Sequence, residues 1–526
     1  LAESGNYLQY MLKGIPAAMM NPGTAGYASS FHGDFGISAI HFATETMLED
    51  MTFLGELGYS HFRYWHQNLG QGADYLYCTF FWKLYYKWIN LANEIIGLVG
   101  EVDDNTSKED REALGQAYAY RAMFYLDLAR MYEPKPCSIQ SPQPSILGLT
   151  VPIVDEHTTE AKAQKNPRAS REDMYKFILS DLDKAEELLK ESTYVYTKPT
   201  TAAIYGLKAR TYLELGATYA EFGDPEPSVW DMTSQTAYEK AASYARKAID
   251  LDLHSPLTQA QWEDANTGFN DGTSNNAWIW GLTTSPENLN NLLTFISHMS
   301  SEAAWGYARY AQFGVSKRLY DAIPDADWRK HSWLDPERED YYAYKFAGND
   351  ADKDDFLNSM PAARDYQALK FRPAQGECSD FNVGNAGDFC MMRIEEMYFL
   401  EAEAMYHLEP AQGVKLLQDF IQDYRYSSYD RIKAGADEQT FLTELLLQKR
   451  IEFWGEGILF YDYKRMDMGI TRSYPGSNHA GVYKLNTVGR SPQWNIVVTR
   501  REFQNNTAIT EETNNPDPSD KIELQS

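Results

Sequence analysis

The chain has 526 residues, 43% hydrophobic and 23% charged, the balance of a globular protein. Its 75 acidic against 48 basic residues give a net charge of −27, a field that repels phosphate backbones and anionic membrane surfaces. Nucleic acid is therefore a poor partner and adsorption to an anionic membrane surface is disfavoured, while neutral or cationic ligands and Ca²⁺ stay open. No apolar run reaches the roughly 18 residues of a spanning helix, and Cys78, Cys137, Cys378 and Cys390 fit no zinc spacing. What stands out is the 14% aromatic content, with 37 Tyr, 24 Phe and 12 Trp; rings in that number serve thick cores, binding surfaces, or both.

The chain opens LAESGNYLQY, with neither an initiating methionine nor a basic-then-apolar leader. It reads as a mature chain whose targeting segment has been removed. HFRYWHQNLGQGADYLYCTFFW (61–82) then sets rings among Gln67, Asn68, Asp74 and glycines. A sugar ring has apolar C–H faces that stack on flat aromatics, and its hydroxyls need amide, carboxylate or guanidinium partners. Tyr64, Trp65, Asn68 and Tyr75 are the candidates here. Any single ring is more often core filling beneath a loop, since large apolar side chains are mostly buried.

From residue 113 the periodicity becomes helical. ALGQAYAYRAMFYLDLARMY places Ala117, Tyr120, Phe124, Leu128 and Met131 at steps of three and four. After a proline-rich insertion, Ser170 begins a second helix, with Glu172 and Asp173 in its first turn and Met174, Ile178, Leu182, Ala185 and Leu189 in one stripe. The pair recurs as TTAAIYGLKARTYLELG with AYEKAASYARKAIDLD, and again as MRIEEMYFLEAEAMYHL with AQGVKLLQDFIQDY. Small residues between rings let helices approach closely. Tyr205, Gly206, Tyr212, Ala241 and Ala248 follow the aromatic-plus-small pattern of a tetratricopeptide repeat. The pattern predicts a mainly α protein with a tetratricopeptide-like helical body over 80–250 and 390–470.

Between them, 255–392 loses helical period and is crowded with Gly, Asn, Asp, Trp and Tyr. It is expected to be a long, irregular, loop-rich excursion facing the ligand. SSEAAWGYARYAQFG (300–314) adds Trp305, Tyr307 and Arg309 as ligand candidates; together with the first cluster it points to a binding surface. In GNDADKDDF, Asp350, Asp352 and Asp354 have the spacing of an EF-type loop. The sixth-position glycine is missing and Pro361 stands at the twelfth, so a solvated acidic loop outweighs Ca²⁺ binding, and no other cofactor is expected. The last stretch, 470–526, reads as loop, with WNIVVTRREF as a strand or docked segment.

RIEFWGEGILFYDYKRM (450–466) concentrates Arg450, Glu452, Glu456, Asp462 and Arg465. These could be the acid, base and clamp of a catalytic site or a buried charge lattice. The stretch resembles a scaffold element of a known family and lies at the end of the helical body, far in sequence from both aromatic clusters. The lattice is therefore the expectation, with Gly455 and Gly457 forming a tight turn.

Five segments in order carry a family resemblance: HFATETMLEDM, FFWKLYYKWINLANEII, ALGQAYAYRAMFYLDLARMYEP, MRIEEMYFLEAEAMYHL and QKRIEFWGEGILFYDYKRMDMG. Over residues from about 40 to 470 the chain resembles the SusD/RagB-type surface glycan-binding lipoproteins of Bacteroidetes. The resemblance implies one unit spanning 1–526, with four tetratricopeptide-like repeats packed against an irregular ligand-binding face. It also implies a lipid anchor on an N-terminal cysteine at the outer membrane, and oligosaccharide binding without catalysis. Its partner would be a SusC-like TonB-dependent transporter, over which the protein closes as a lid in nutrient uptake. Leu459 stands where the family often has arginine. Two rival readings are a glycoside hydrolase with an α-helical body and a peptide-capturing partner of the transporter.

Overall fold

Apolar steps of three and four become helix along most of the chain. The computed structural model describes residues 7–21, 32–54, 61–289, 291–303, 305–337 and 364–525, without the Arg309 side chain. Asp350, Asp352 and Asp354 lie outside the described residues. The principal helices are α1 (Tyr7–Met20), α2 (Ile37–Thr46), α3 (Leu76–Val99), α4 (Lys108–Tyr132), α5 (Arg171–Leu189), α6 (Thr201–Phe222), α7 (Ser234–Asp250), α8 (Ile394–Leu408), α9 (Pro410–Tyr424), α10 (Glu438–Phe453) and α11 (Leu459–Arg465). The Ser170 side chain accepts from Asp173 N at 3.1 Å and so caps α5.

Helices pack in pairs, α4 on α5, α6 on α7 and α8 on α9, and α7 packs on α8. The body is thus continuous across the excursion between those two helices. Close approach needs the small residues: a Cβ on Gly216 of α6 would fall 2.8 Å from the Tyr238 ring of α7. Bidentate arginines tie the pairs, Arg121 to Asp181 at 2.7 and 2.8 Å and Arg210 to Glu396 at 2.6 Å twice.

The excursion is closed at its neck by two short strands. β2 (Trp278–Leu282) runs antiparallel to β4 (Phe389–Arg393), which leads directly into α8, with Leu282 opposite Phe389. A second pair joins β1 (Met51–Phe53) to β3 (Phe313–Val315). Much of the aromatic excess is core: seven of the 12 tryptophans are less than 2% exposed.

The 450–466 stretch forms the end of α10, a turn and α11. Gly455 and Gly457 both have φ 77°, and a Cβ on Gly457 would fall 2.2 Å from Cβ of His41 on α2. Every charged side chain of the stretch singled out above is ion-paired. Glu452 accepts from Arg329 at 2.9 Å, Arg393 at 2.8 Å and Arg425 at 2.6 and 2.8 Å. Glu456 takes Lys370 at 2.6 Å and Arg393 at 2.9 Å, while Glu395 lies 2.9 Å from Arg393 and Asp327 2.7 Å from Arg329.

Four carboxylates and four cations therefore form one buried, neutral knot. It joins the excursion (Asp327, Arg329, Lys370) and the end of β4 (Arg393) to α8, the end of α9 and α10. Burial alone would raise the Glu452 carboxyl, but Arg425, Arg393 and Arg329 outweigh it and hold it well below the carboxylate range. Nearby, Arg450 pairs with Asp50 and Glu49 at 2.6 Å, and Arg465 with Glu403 at 2.7 Å and Asp462 at 2.8 Å.

Glu45 sits under this turn without such support. Its Oε1 accepts Gly455 N at 3.0 Å, and burial raises its carboxyl from 4.5 to about 8. A folded-state value above the unfolded one means the folded chain holds the extra proton. Its stabilisation is complete below about pH 4.5 and is lost as pH rises through about 8. Glu45→Gln is expected to flatten that slope, raising the melting temperature more at pH 9 than at pH 5 in a calorimetric pH series.

Candidate functional site

Two loop clusters far apart in sequence meet on one face. The first is a helical turn, Arg63–His66, followed by a loop in which Asn68 (φ 59°) and Gly70 (φ 66°) turn the backbone. Tyr64 is 50% and Tyr75 52% exposed, and the two flank Gly70, each within 4 Å of where its Cβ would lie. The Arg63 guanidinium lies 4.8 Å over the Tyr64 ring and donates to its hydroxyl at 3.0 Å. The second cluster supplies Tyr307, whose ring meets His61 edge-on at 5.2 Å and stacks on His298 at 4.3 Å. The Tyr307 hydroxyl also hydrogen-bonds His32 Nδ1, and Tyr310, 43% exposed, lies on the same short turn.

Desolvation, then His32 and Arg63, lower His61 to about 4; burial lowers His298 to about 3. Both imidazoles are neutral at neutral pH; His298 is 3% exposed, so it backs the part-exposed Tyr307 ring, which presents an uncharged aromatic surface. Such a surface suits the C–H face of a sugar. Among the described residues no group of three or more His, Cys, Asp or Glu is arranged to hold a metal ion.

Two sequence candidates belong elsewhere. Trp65 is 1% exposed, packs on Tyr77 and Phe81 at 5.1 and 5.0 Å, and donates from Nε1 to Gly70 O at 3.2 Å. It is a core residue under the loop, not a stacking platform. Asn68 is equally buried and turns the backbone. The reason is geometric: successive residues of one helical turn point in different directions, so Tyr64 faces out where Trp65 faces in. Trp305 is half-buried, its ring against Gly384; Arg309 carries no described side chain. Arg63, adjacent to Tyr64, was available from its guanidinium chemistry. His32 and His61 had no signal linking them to Tyr307.

The loop is held from the far end of the chain. Gln71 N donates to Ser519 Oγ at 2.9 Å, Asp520 N to Asn68 O at 3.1 Å, and Arg500 N to Ala73 O at 2.9 Å. The Arg500 guanidinium pairs with Asp74 at 2.5 Å and Glu511 at 2.6 Å. Arg500→Ala is expected to leave global unfolding unchanged, because the pair is exposed. It should speed amide exchange in residues 68–75, read by hydrogen-exchange mass spectrometry.

Comparisons with known proteins agree with this architecture. A family model described as starch-binding associating with outer membrane matches residues 36–213, and the SusD family model matches 365–523. The SusD-like protein P2 of Formosa agariphila is 27% identical over 435 residues, 80% of this chain and 78% of that protein. A SusD-like carbohydrate-binding protein from Bacteroides vulgatus superposes with a TM-score of 0.71 at 21% identity, covering 96% of this chain and 97% of the other. Surface glycan-binding protein A from Bacteroides thetaiotaomicron, in complex with laminarihexaose, gives 0.66 at 14% identity, over 97% and 99%.

Proposed function

The chain belongs to the SusD family, and on that premise we propose that it is a non-catalytic glycan-binding protein of the outer membrane surface. The observation that carries this reading is the exposed pair Tyr64 and Tyr75, beside the neutral ring platform of Tyr307, His61 and His298. Sugar C–H faces stack on the tyrosines, and Arg63 supplies a guanidinium for hydroxyls. The net charge of −27 favours neutral glycans over acidic ones. Two features support the reading from outside the chain: the matched model is described as starch-binding, and a structural relative holds laminarihexaose.

In this reading the captured oligosaccharide passes to a SusC-like TonB-dependent transporter, with the protein held at the membrane by an N-terminal lipid. The aromatic loops serve as the capture face and the helical body as scaffold. Isothermal titration against a panel of soluble glycans including laminarihexaose, with a reducing-end assay on the same mixtures, tests it. Saturable binding without new reducing ends is expected. Turnover of any panel member establishes the hydrolase reading instead, and the absence of binding across the panel removes the glycan reading.

A further inference from the structure

A second cavity lies apart from the tyrosine face. Where the excursion returns towards α8, a cleft of about 480 Å³ opens between the 266–273 turn, Gln375 and Asp388, with Tyr196 as one wall. That volume is in the usual range for small-molecule sites, about 300–1,000 Å³. None of its lining residues belongs to the Tyr64–Tyr75 face.

The cleft is rigidly framed. Asp388 accepts from the Tyr196 hydroxyl at 2.7 Å and from Gly272 N at 3.0 Å, and its own N–H donates to Asn270 O at 2.8 Å. A Cβ on Gly272 would fall 2.4 Å from the Tyr196 ring, so the turn lies directly against that ring. Asn270 is 3% exposed, and its Nδ2 donates to the carbonyls of Arg372 at 3.1 Å and Pro373 at 2.9 Å. Those two acceptors fix the amide orientation, because the flipped form would set oxygen against oxygen. With its Oδ1 buried, Asn270 acts as a brace that ties the 266–273 turn to the 372–373 backbone.

Apart from Ala374 and Ala386, the rest of the described lining is hydroxyls, amides and carboxylates, including Thr273, Gln375 and Asp271, and it contains no lysine, arginine or histidine. Two carboxylates without a cation repel an anionic ligand, whereas amides and hydroxyls both donate to and accept from a polyol. The preformed frame lowers the ordering cost of binding.

We propose that this cleft is a second binding site, for one or two residues of a neutral sugar, with the Asn266 and Gln375 amides at the rim meeting ligand hydroxyls and Tyr196 as the wall. The choice of a sugar rests on the glycan-binding reading above; the selection of neutral over anionic ligands rests on the lining alone.

Hydrogen-exchange mass spectrometry on the full chain tests it, with neutral gluco-, manno- and galacto-oligosaccharides and with oligogalacturonate as probes. At least one neutral probe is expected to protect residues 266–273 and 374–388, and oligogalacturonate to leave them unchanged. Asn266→Ala combined with Gln375→Ala, both exposed rim positions, should weaken that protection by about tenfold in midpoint concentration while leaving protection at 61–75 intact. Protection at 61–75 alone overturns the second site and leaves the first. Protection at the cleft alone upholds it and removes the tyrosine face. A cleft untouched by every neutral probe, equally protected by oligogalacturonate, or unaffected by the rim variant overturns the proposal.

Discussion

Glu452→Ala is expected to destabilise the protein by at least about 3–5 kcal/mol, the cost of breaking a buried ion pair. Glu452 and Arg329, Arg393 and Arg425 are all at most 1% exposed. Removing the carboxylate takes four charge-assisted hydrogen bonds at once and leaves the knot with one uncompensated positive charge. Against a typical total stability of about 5–15 kcal/mol, that is about a fifth or more of what holds the fold. The loss is directional, because the knot joins the excursion to α8 and α10, so the excursion should lose exchange protection first. Chemical denaturation followed by circular dichroism measures the total. A variant that unfolds at the wild-type denaturant concentration would show that the knot carries little of the stability.

Replacing both Tyr64 and Tyr75 with Ala is expected to weaken glycan affinity by about 30- to 150-fold, at about 1–1.5 kcal/mol per stacking ring. Both side chains are half exposed, so the melting temperature should stay at its wild-type value. Trp65→Ala is the control with the opposite signature: its ring is buried against Tyr77 and Phe81, so stability falls first. Titration calorimetry on both variants separates the roles. Unchanged affinity in the double tyrosine variant would move the binding face away from the 61–75 loop, whatever the glycan.

The helical body was legible because its signal is local. Steps of three and four from Ala117 to Met131, the Ser170 cap and the small residues of α6 and α7 each act within a few turns of their own helix. The lattice at Glu452 and Arg465 is expected from the family resemblance of the stretch and its place at the end of the helical body, since charges buried there must be paired. The partners could not be anticipated: Arg329, Lys370, Arg393 and Arg425 come from the excursion, the end of β4 and the end of α9.

The binding face shows the same division. Composition of 61–82 and 300–314 marked both clusters as aromatic and polar, yet it could not separate Tyr64 from Trp65, neighbours of similar chemistry and opposite burial. Nor could it bring His61 against Tyr307, or run residues 499–520 beneath the loop that carries Tyr75. Periodicity, capping and charge density by themselves determined a helical, repeat-built scaffold with an acidic exterior and aromatic loops. Which rings face solvent, which carboxylate meets which arginine, and where the second cleft opens were decided by tertiary structure. Burial and pairing depend on what other segments bring to the same place, and sequence spacing does not encode that at long range.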